Sequence, residues 1–103
     1  MTEPLKITAM AADAIRGVMV SQNVPDNFRL RVGMRGGGCG GMSYLLGFDE
    51  KRDSDLEYEI RGIPVLIEKA HSMYVLGMEI DWHEDEQQRG FVFNNPTIRE
   101  ERG

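Results

Sequence analysis

The stretch "RGGGCGGMSY", Arg35 to Tyr44, holds the side chain with the most chemistry to offer. Five of the seven residues between Arg35 and Ser43 are glycine, and Cys39, the only cysteine of the chain, sits among them. A thiolate is a nucleophile and a soft ligand that suits iron–sulfur clusters, zinc or copper(I). A neighbouring cation such as Arg35, or close backbone amides, favours the thiolate over the thiol. A single thiolate holds none of these metals alone. Each ordered glycine costs roughly 0.5–1 kcal/mol against alanine in regular structure. Two readings stay open on the residues themselves: a loose hairpin turn with an incidental cysteine, or a bare arch that exposes a thiol.

Other reactive residue types are sparse. Gly36, Gly38 and Gly41 satisfy G-x-G-x-x-G, but that fingerprint needs a following helix, and "SYLLGF" reads as a strand. No Gly-Lys-Ser/Thr follows, so a Walker loop is excluded. His71 and His83 match no metal-ligand spacing and read as surface or hydrogen-bonded structural histidines. The acidic run His83 to Glu86 reads as a solvated loop, and Met34 and Met42, which flank the glycines, as core residues. Arg29 and Arg31 project from the polar face of their strand, where solvation is expected rather than a grip on a partner carboxylate. No Ser-His-Asp or Cys-His arrangement is legible, and no enzymatic activity is expected.

The elements that position the thiol follow from periodicity. "ITAMAADAIRGVMVSQNV" reads as a helix with Thr8 as N-cap and Ala11, Ile15, Val18 and Met19 on one face. "FRLRVGMR" alternates as a half-buried strand with Phe28, Leu30, Val32 and Met34 inward. Four more strands read at "SYLLGF", "LEYEI", "IPVLI" and "MEIDW", and the last at "FVF". Pro64 lacks an amide donor and suggests a sheet edge. "EKAHSMYVLG" is a short helical segment ended by Gly77. Short connections imply antiparallel pairing. The fold class expected is therefore mainly β within α+β: a compact curled sheet or small sandwich of about six strands, with an N-terminal helix and one short helix.

The whole chain bounds the rest. Its 103 residues suit one domain. No apolar run approaches a membrane span and no secretory signal is legible, so a reducing cytoplasmic location is expected. Residues 1–48 carry five Lys/Arg against three Asp/Glu, a balance of +2, and residues 49–103 carry seven against fourteen, a balance of −7. So acidic a chain is a poor ligand for phosphate backbones, and neither nucleic acid nor membrane is an expected partner.

"FRLRVGMRGGGCGGMSYLLGF" is similar to the first cysteine loop of the A-type iron–sulfur carriers, the HesB-like family. "GIPVLIEKAHSMYVLGMEIDW" resembles that family's strand, short helix and L-x-G turn, and "GFVFNNP" its GF-x-F-x-NP element. The resemblance runs from about Ile7 to Pro96. It implies a HesB-like domain over residues 1–96; the polar tail over 97–103, with one apolar residue in "TIREERG", is expected to fray. It implies an iron–sulfur cluster assembly accessory or carrier that binds iron or a cluster, forms homodimers, and meets assembly proteins or client apoproteins. By position Cys39 matches the first of three family cysteines, and is the expected cofactor-binding and metal residue. The other two form a C-terminal Cys-Gly-Cys. Here Arg102 and Gly103 fall where the first Cys-Gly would stand, so only Cys39 carries over. The alternatives are a degenerate member acting as a cluster-free binding or regulatory module, or a thiol redox sensor built on Cys39.

Overall fold

The computed structural model describes residues 3–36 and 42–95. Seven strands and two helices run in the order β1 (Lys6–Ile7), α1 (Ala9–Ser21), β2 (Phe28–Gly36), β3 (Met42–Glu50), β4 (Asp55–Ile60), β5 (Ile63–Glu68), α2 (Ser72–Val75), β6 (Glu79–Glu84) and β7 (Arg89–Asn94). A single 3₁₀ turn, Lys69–His71, leads into α2. The strands form two sheets, one ordered β3-β2-β5-β4 and the other β1-β6-β7. The expected mainly-β fold with an N-terminal and a short helix is what forms. Its extra strand is β1, a dipeptide too short to show a period.

The pairing is mixed rather than antiparallel throughout. β2 runs parallel to β5 with Leu30 opposite Val65, and β1 runs parallel to β6 with Lys6 opposite Glu79. Short loops join β2 to β3 and β4 to β5 as hairpins, and those two hairpins then meet along their parallel strands. Connection length alone could not reveal that meeting. Pro64 accordingly lies in an interior strand, not at an edge. β2 pairs with β5 only from Val65 onward, so the missing amide of Pro64 lies outside the ladder with β2.

Helix α1 starts where Thr8 accepts a hydrogen bond from the Ala11 amide (3.1 Å) and donates one to Asp81 (2.7 Å). Its buried face is Ala11, Ala12 and Ile15. These meet Leu30, Val32, Ile60, Val65 and Ile67 of one sheet and Ile80 of the other, all 1% exposed or less. Burying each such large side chain stabilises by about 1.5–3 kcal/mol. The β4–β5 hairpin closes on Arg61 and Gly62, both at positive φ (52° and 78°), the geometry of a two-residue primed turn.

Leu66 is fully buried yet stands apart from this core. In register it lies between Arg31 and Glu57, on the face turned away from α1. An ion-paired layer closes over it. Arg31 makes a bidentate pair with Asp55 (2.7 Å to each oxygen) and also reaches Asp49 (3.2 Å), while Arg29 pairs with Glu57 (2.9 Å). The two arginines are thus engaged by the chain's own carboxylates rather than solvated.

Candidate functional site

Cys39 lies in residues 37–41, outside the described residues, and so do residues 96–103, which hold the expected tail. What the structure defines is the frame that holds both segments. β2 and β3 pair without interruption from Phe28 opposite Glu50 to Gly36 opposite Met42. The Cys39 connection is therefore five residues long, and its two ends are neighbours across a paired rung.

The parallel β2–β5 pairing decides what surrounds that rung. Parallel strands end on the same side, so the chain leaving β5 enters the 3₁₀ turn and α2 beside the loop end of β2. His71 makes the contact. Its ring packs on Gly33, where a Cβ would sit 2.9 Å from Nδ1, and that Nδ1 accepts a hydrogen bond from the Met34 amide at 3.4 Å. A neutral ring that accepts at Nδ1 carries its proton on Nε2. Through these contacts His71 serves as a clamp between the 3₁₀ turn and β2. The expectation of a hydrogen-bonded structural histidine holds.

The end of β7 arrives at the same place. Asn95 donates from Nδ2 to the Tyr44 hydroxyl (2.8 Å) and to the carbonyl of Tyr74 (3.3 Å). The Tyr44 and Phe93 rings lie 5.2 Å apart between centroids. One end of the molecule thus gathers the anchors of the Cys39 connection, helix α2 and the point from which residues 96–103 depart. The amide of Asn95 and the clamp at Gly33 were not legible in the sequence. The "NNP" that follows "FVF" gave no hint of its partners.

The remaining candidates lie elsewhere. His83 is exposed at the far turn of the β6–β7 hairpin, 3.0 Å from Asp85. Asp85 accepts from the amides of Gln87 and Gln88 (both 2.8 Å), and those bonds, with His83, hold its carboxyl below the usual range. It shapes a turn. Among the described residues no group of three or more His, Cys, Asp or Glu side chains is placed to hold a metal. Met34 packs against the core as expected, whereas the Met42 side chain is outside what the structure describes. Between the free edges of β3 and β7 an apolar cleft of about 600 Å³ opens, lined by Phe28, Leu46, Phe48, Phe91 and Phe93 among others. No helix among the described residues is long and apolar enough to cross a membrane.

Asp55, the first residue of β4, is a buried charge that the sequence reading did not single out. Its side chain is wholly inaccessible. The Arg31 guanidinium, joined by the Arg52 amide and working against burial, pulls its carboxyl down to about 2. The visible signal was the alternation of Arg29 and Arg31 on one strand against Asp55 and Glu57 on another.

Comparison with known proteins settles the family. The model of the iron–sulphur cluster biosynthesis family matches residues 4–102. The chain belongs to the iron–sulphur cluster biosynthesis family. Within it, the chain is 40% identical over 96 residues to the mitochondrial iron–sulfur cluster assembly 1 homolog of Gallus gallus, covering 92% of this chain and 73% of that one. It is 37% identical over 100 residues to the iron–sulfur cluster insertion protein ErpA of Xylella fastidiosa, covering 96% and 77%. The crystal structure of Escherichia coli SufA superposes with a TM-score of 0.74 at 29% identity, covering 89% of this chain and 80% of that one. The resemblance to A-type carriers drawn from the loop and strand motifs is thereby established.

The donor set of this family member is small. Its 103 residues carry one cysteine. A two-iron cluster ordinarily takes four thiolates. One copy supplies a quarter of them and two copies half. The residues present do not enclose a cluster by themselves.

Proposed function

We propose that this chain is a non-enzymatic accessory of iron–sulfur cluster assembly, working in the cytoplasm as a homodimer. Iron or a cluster is its cargo. Cys39 contacts that cargo, and thiolates from outside the chain, either glutathione or a client apoprotein, complete the coordination. The observation that carries the reading is the family match over residues 4–102, with the Cys39 connection tied at both ends into the sheet. The paired ends of β2 and β3 set the two anchors of the Cys39 connection side by side, which supports the reading.

Anaerobic reconstitution with iron, sulfide and glutathione tests this. The expected product is coloured, contains iron and sulfide, and is lost in Cys39→Ala. A colourless protein under every thiol condition refutes it.

The thiolate count favours a second reading, a family member that keeps the fold and a partner surface but carries no cluster. In that case assembly partners bind wild type and Cys39→Ala equally, and neither takes up iron.

A further inference from the structure

Gly47 lines the apolar cleft between β3 and β7, and no neighbour among the described residues requires a glycine there. It stands opposite Arg31 in a register that runs unbroken from Phe28 opposite Glu50 to Gly36 opposite Met42, so it serves no bulge. Its φ is not positive, and a Cβ at this position would meet nothing within 4 Å. Glycine weakens a strand interior; where neither bulge nor bend accounts for it, it marks a place that another backbone approaches. Gly90 on β7 repeats the pattern. It pairs in regular register with His83, and a Cβ there would also meet nothing within 4 Å. Gly47 comes three residues after Tyr44, and Gly90 three before Phe93, the two rings whose contact closes one end of the cleft.

The strand that carries Gly47 is also an unguarded edge. β3 is the outer strand of its sheet. An antiparallel strand turns the N–H and C=O of about every second residue away from its partner, which leaves a row of donors and acceptors along an outer edge. Proteins ordinarily blunt such edges with charge, proline, bulges or shortness. β1 is two residues long, and β4 carries Glu57 and Glu59. β3 is nine residues long, and its run from Ser43 to Phe48 holds neither a charge nor a proline. The same run supplies Tyr44, Leu46 and Phe48 to the cleft wall.

We propose that the outer edge of β3 is a docking site for an extended segment of a partner protein, which adds to the sheet as a strand and seats alternate apolar side chains in the cleft. Main-chain hydrogen bonds supply the affinity, and the cleft selects the side chains. A small apolar molecule fills part of the volume of about 600 Å³ but leaves the edge donors and acceptors unused. A helix spends its own backbone groups internally and offers none to the edge. The site uses neither iron nor sulfide, so it goes beyond the cargo reading.

The test is an NMR titration of the iron-free chain with a short peptide of alternating valine and threonine carrying a lysine at each end. It is run at about 150 mM salt to screen charge. Two further peptides of the same sequence are N-methylated at alternate residues, one in each phase, so that each loses the donors of one edge only. The expected result is saturable amide shifts over residues 43–48 with a Kd below about 1 mM, kept by one methylated peptide and weakened at least about tenfold in the other. Phe48→Lys sets a charge that the occupant would bury, and is expected to weaken the parent peptide at least about tenfold. Val92→Lys, at an exposed position of β7 outside the cleft lining, leaves it unchanged. Far-UV circular dichroism checks that the variants fold, and the methylated pair decides the matter without them. No saturable shift up to about 1 mM, equal binding of both methylated peptides, or shifts on β4 or α2 in place of β3 overturns the proposal. So does an anilinonaphthalene sulfonate signal that the peptide does not displace, which assigns the cleft to a small apolar ligand. Peptide-free β3 amides that broaden as protein concentration rises assign the edge to a second copy and overturn it as well. Iron uptake is scored separately, so the two readings succeed or fail independently.

Discussion

The Cα of Gly33 lies beneath the imidazole of His71, so close that a methyl group there would sit 2.9 Å from Nδ1. Glycine is required at this rung of β2 by a neighbour, not by a turn. Through that contact the sheet holds α2 against the base of the Cys39 connection.

Gly33→Ala is expected to push the ring away and break its bond to the Met34 amide, at a cost of about 1–3 kcal/mol, the usual range for overpacking. His71→Ala leaves the Met34 amide unpartnered and costs on the order of 1 kcal/mol. The double variant removes both the clash and the ring, so the two effects are expected to be markedly non-additive in a thermal or urea denaturation cycle. Additive costs would show that the contact is not what makes glycine necessary.

The Arg31–Asp55 pair predicts a specific acid response. Asp55 titrates at about 2 in the folded protein, below its ordinary 3.8, because Arg31 holds it ionised. A depressed folded value means stability that is fully present above about pH 4 and is lost as the pH falls through about 2. Its size is on the order of 2 kcal/mol. Asp55→Asn removes this dependence, and the stability of the variant falls less steeply between about pH 4 and pH 2 than that of wild type. Arg31→Ala, which strands a buried carboxylate, costs about 3–5 kcal/mol at neutral pH by urea unfolding.

Thr8 joins the start of α1 to β6 through its two hydrogen bonds. Thr8→Ala is expected to cost about 0.5–2 kcal/mol through the lost cap. Asp81 is held below the ordinary range first by the Thr8 hydroxyl and then by the Trp82 amide, so its carboxyl rises in this variant, visible by NMR titration. Thr8→Ser restores both the cap and the low value. A variant that loses stability without moving Asp81 would contradict the shared hydroxyl.

Tyr44→Phe keeps the packing on Phe93 and removes the acceptor for Asn95. The expected loss of global stability is modest, about 1 kcal/mol. The sensitive readout is amide exchange at the end of β7, which should quicken around Asn94 and Asn95 while β2 and β5 stay protected. Uniform protection would show that the phenol does not hold the strand end.

Most elements were legible because their apolar residues repeat at the right period. Leu30 and Val32 on β2, and Ala11 and Ile15 on α1, are buried as that spacing requires. Parallel pairing was not legible, since nothing local in "FRLRV" or "IPVLI" distinguishes the two directions. β1 escaped because two residues have no period. Asp55 was hidden because a buried carboxylate and a solvated one look alike until the arginine that reaches it is placed. The site divides in the same way. Cys39 and its glycines stood out by composition, while Gly33, His71, Tyr44 and Asn95 act through contacts between residues far apart in the chain.

The pairing of Lys6 with Glu79 carries a kinetic consequence, for a strap between residues 73 apart closes late. The hairpin of β2 and β3 joins neighbours and can form within microseconds. An emerging chain can therefore pair the two anchors of its Cys39 connection before it fastens its own beginning.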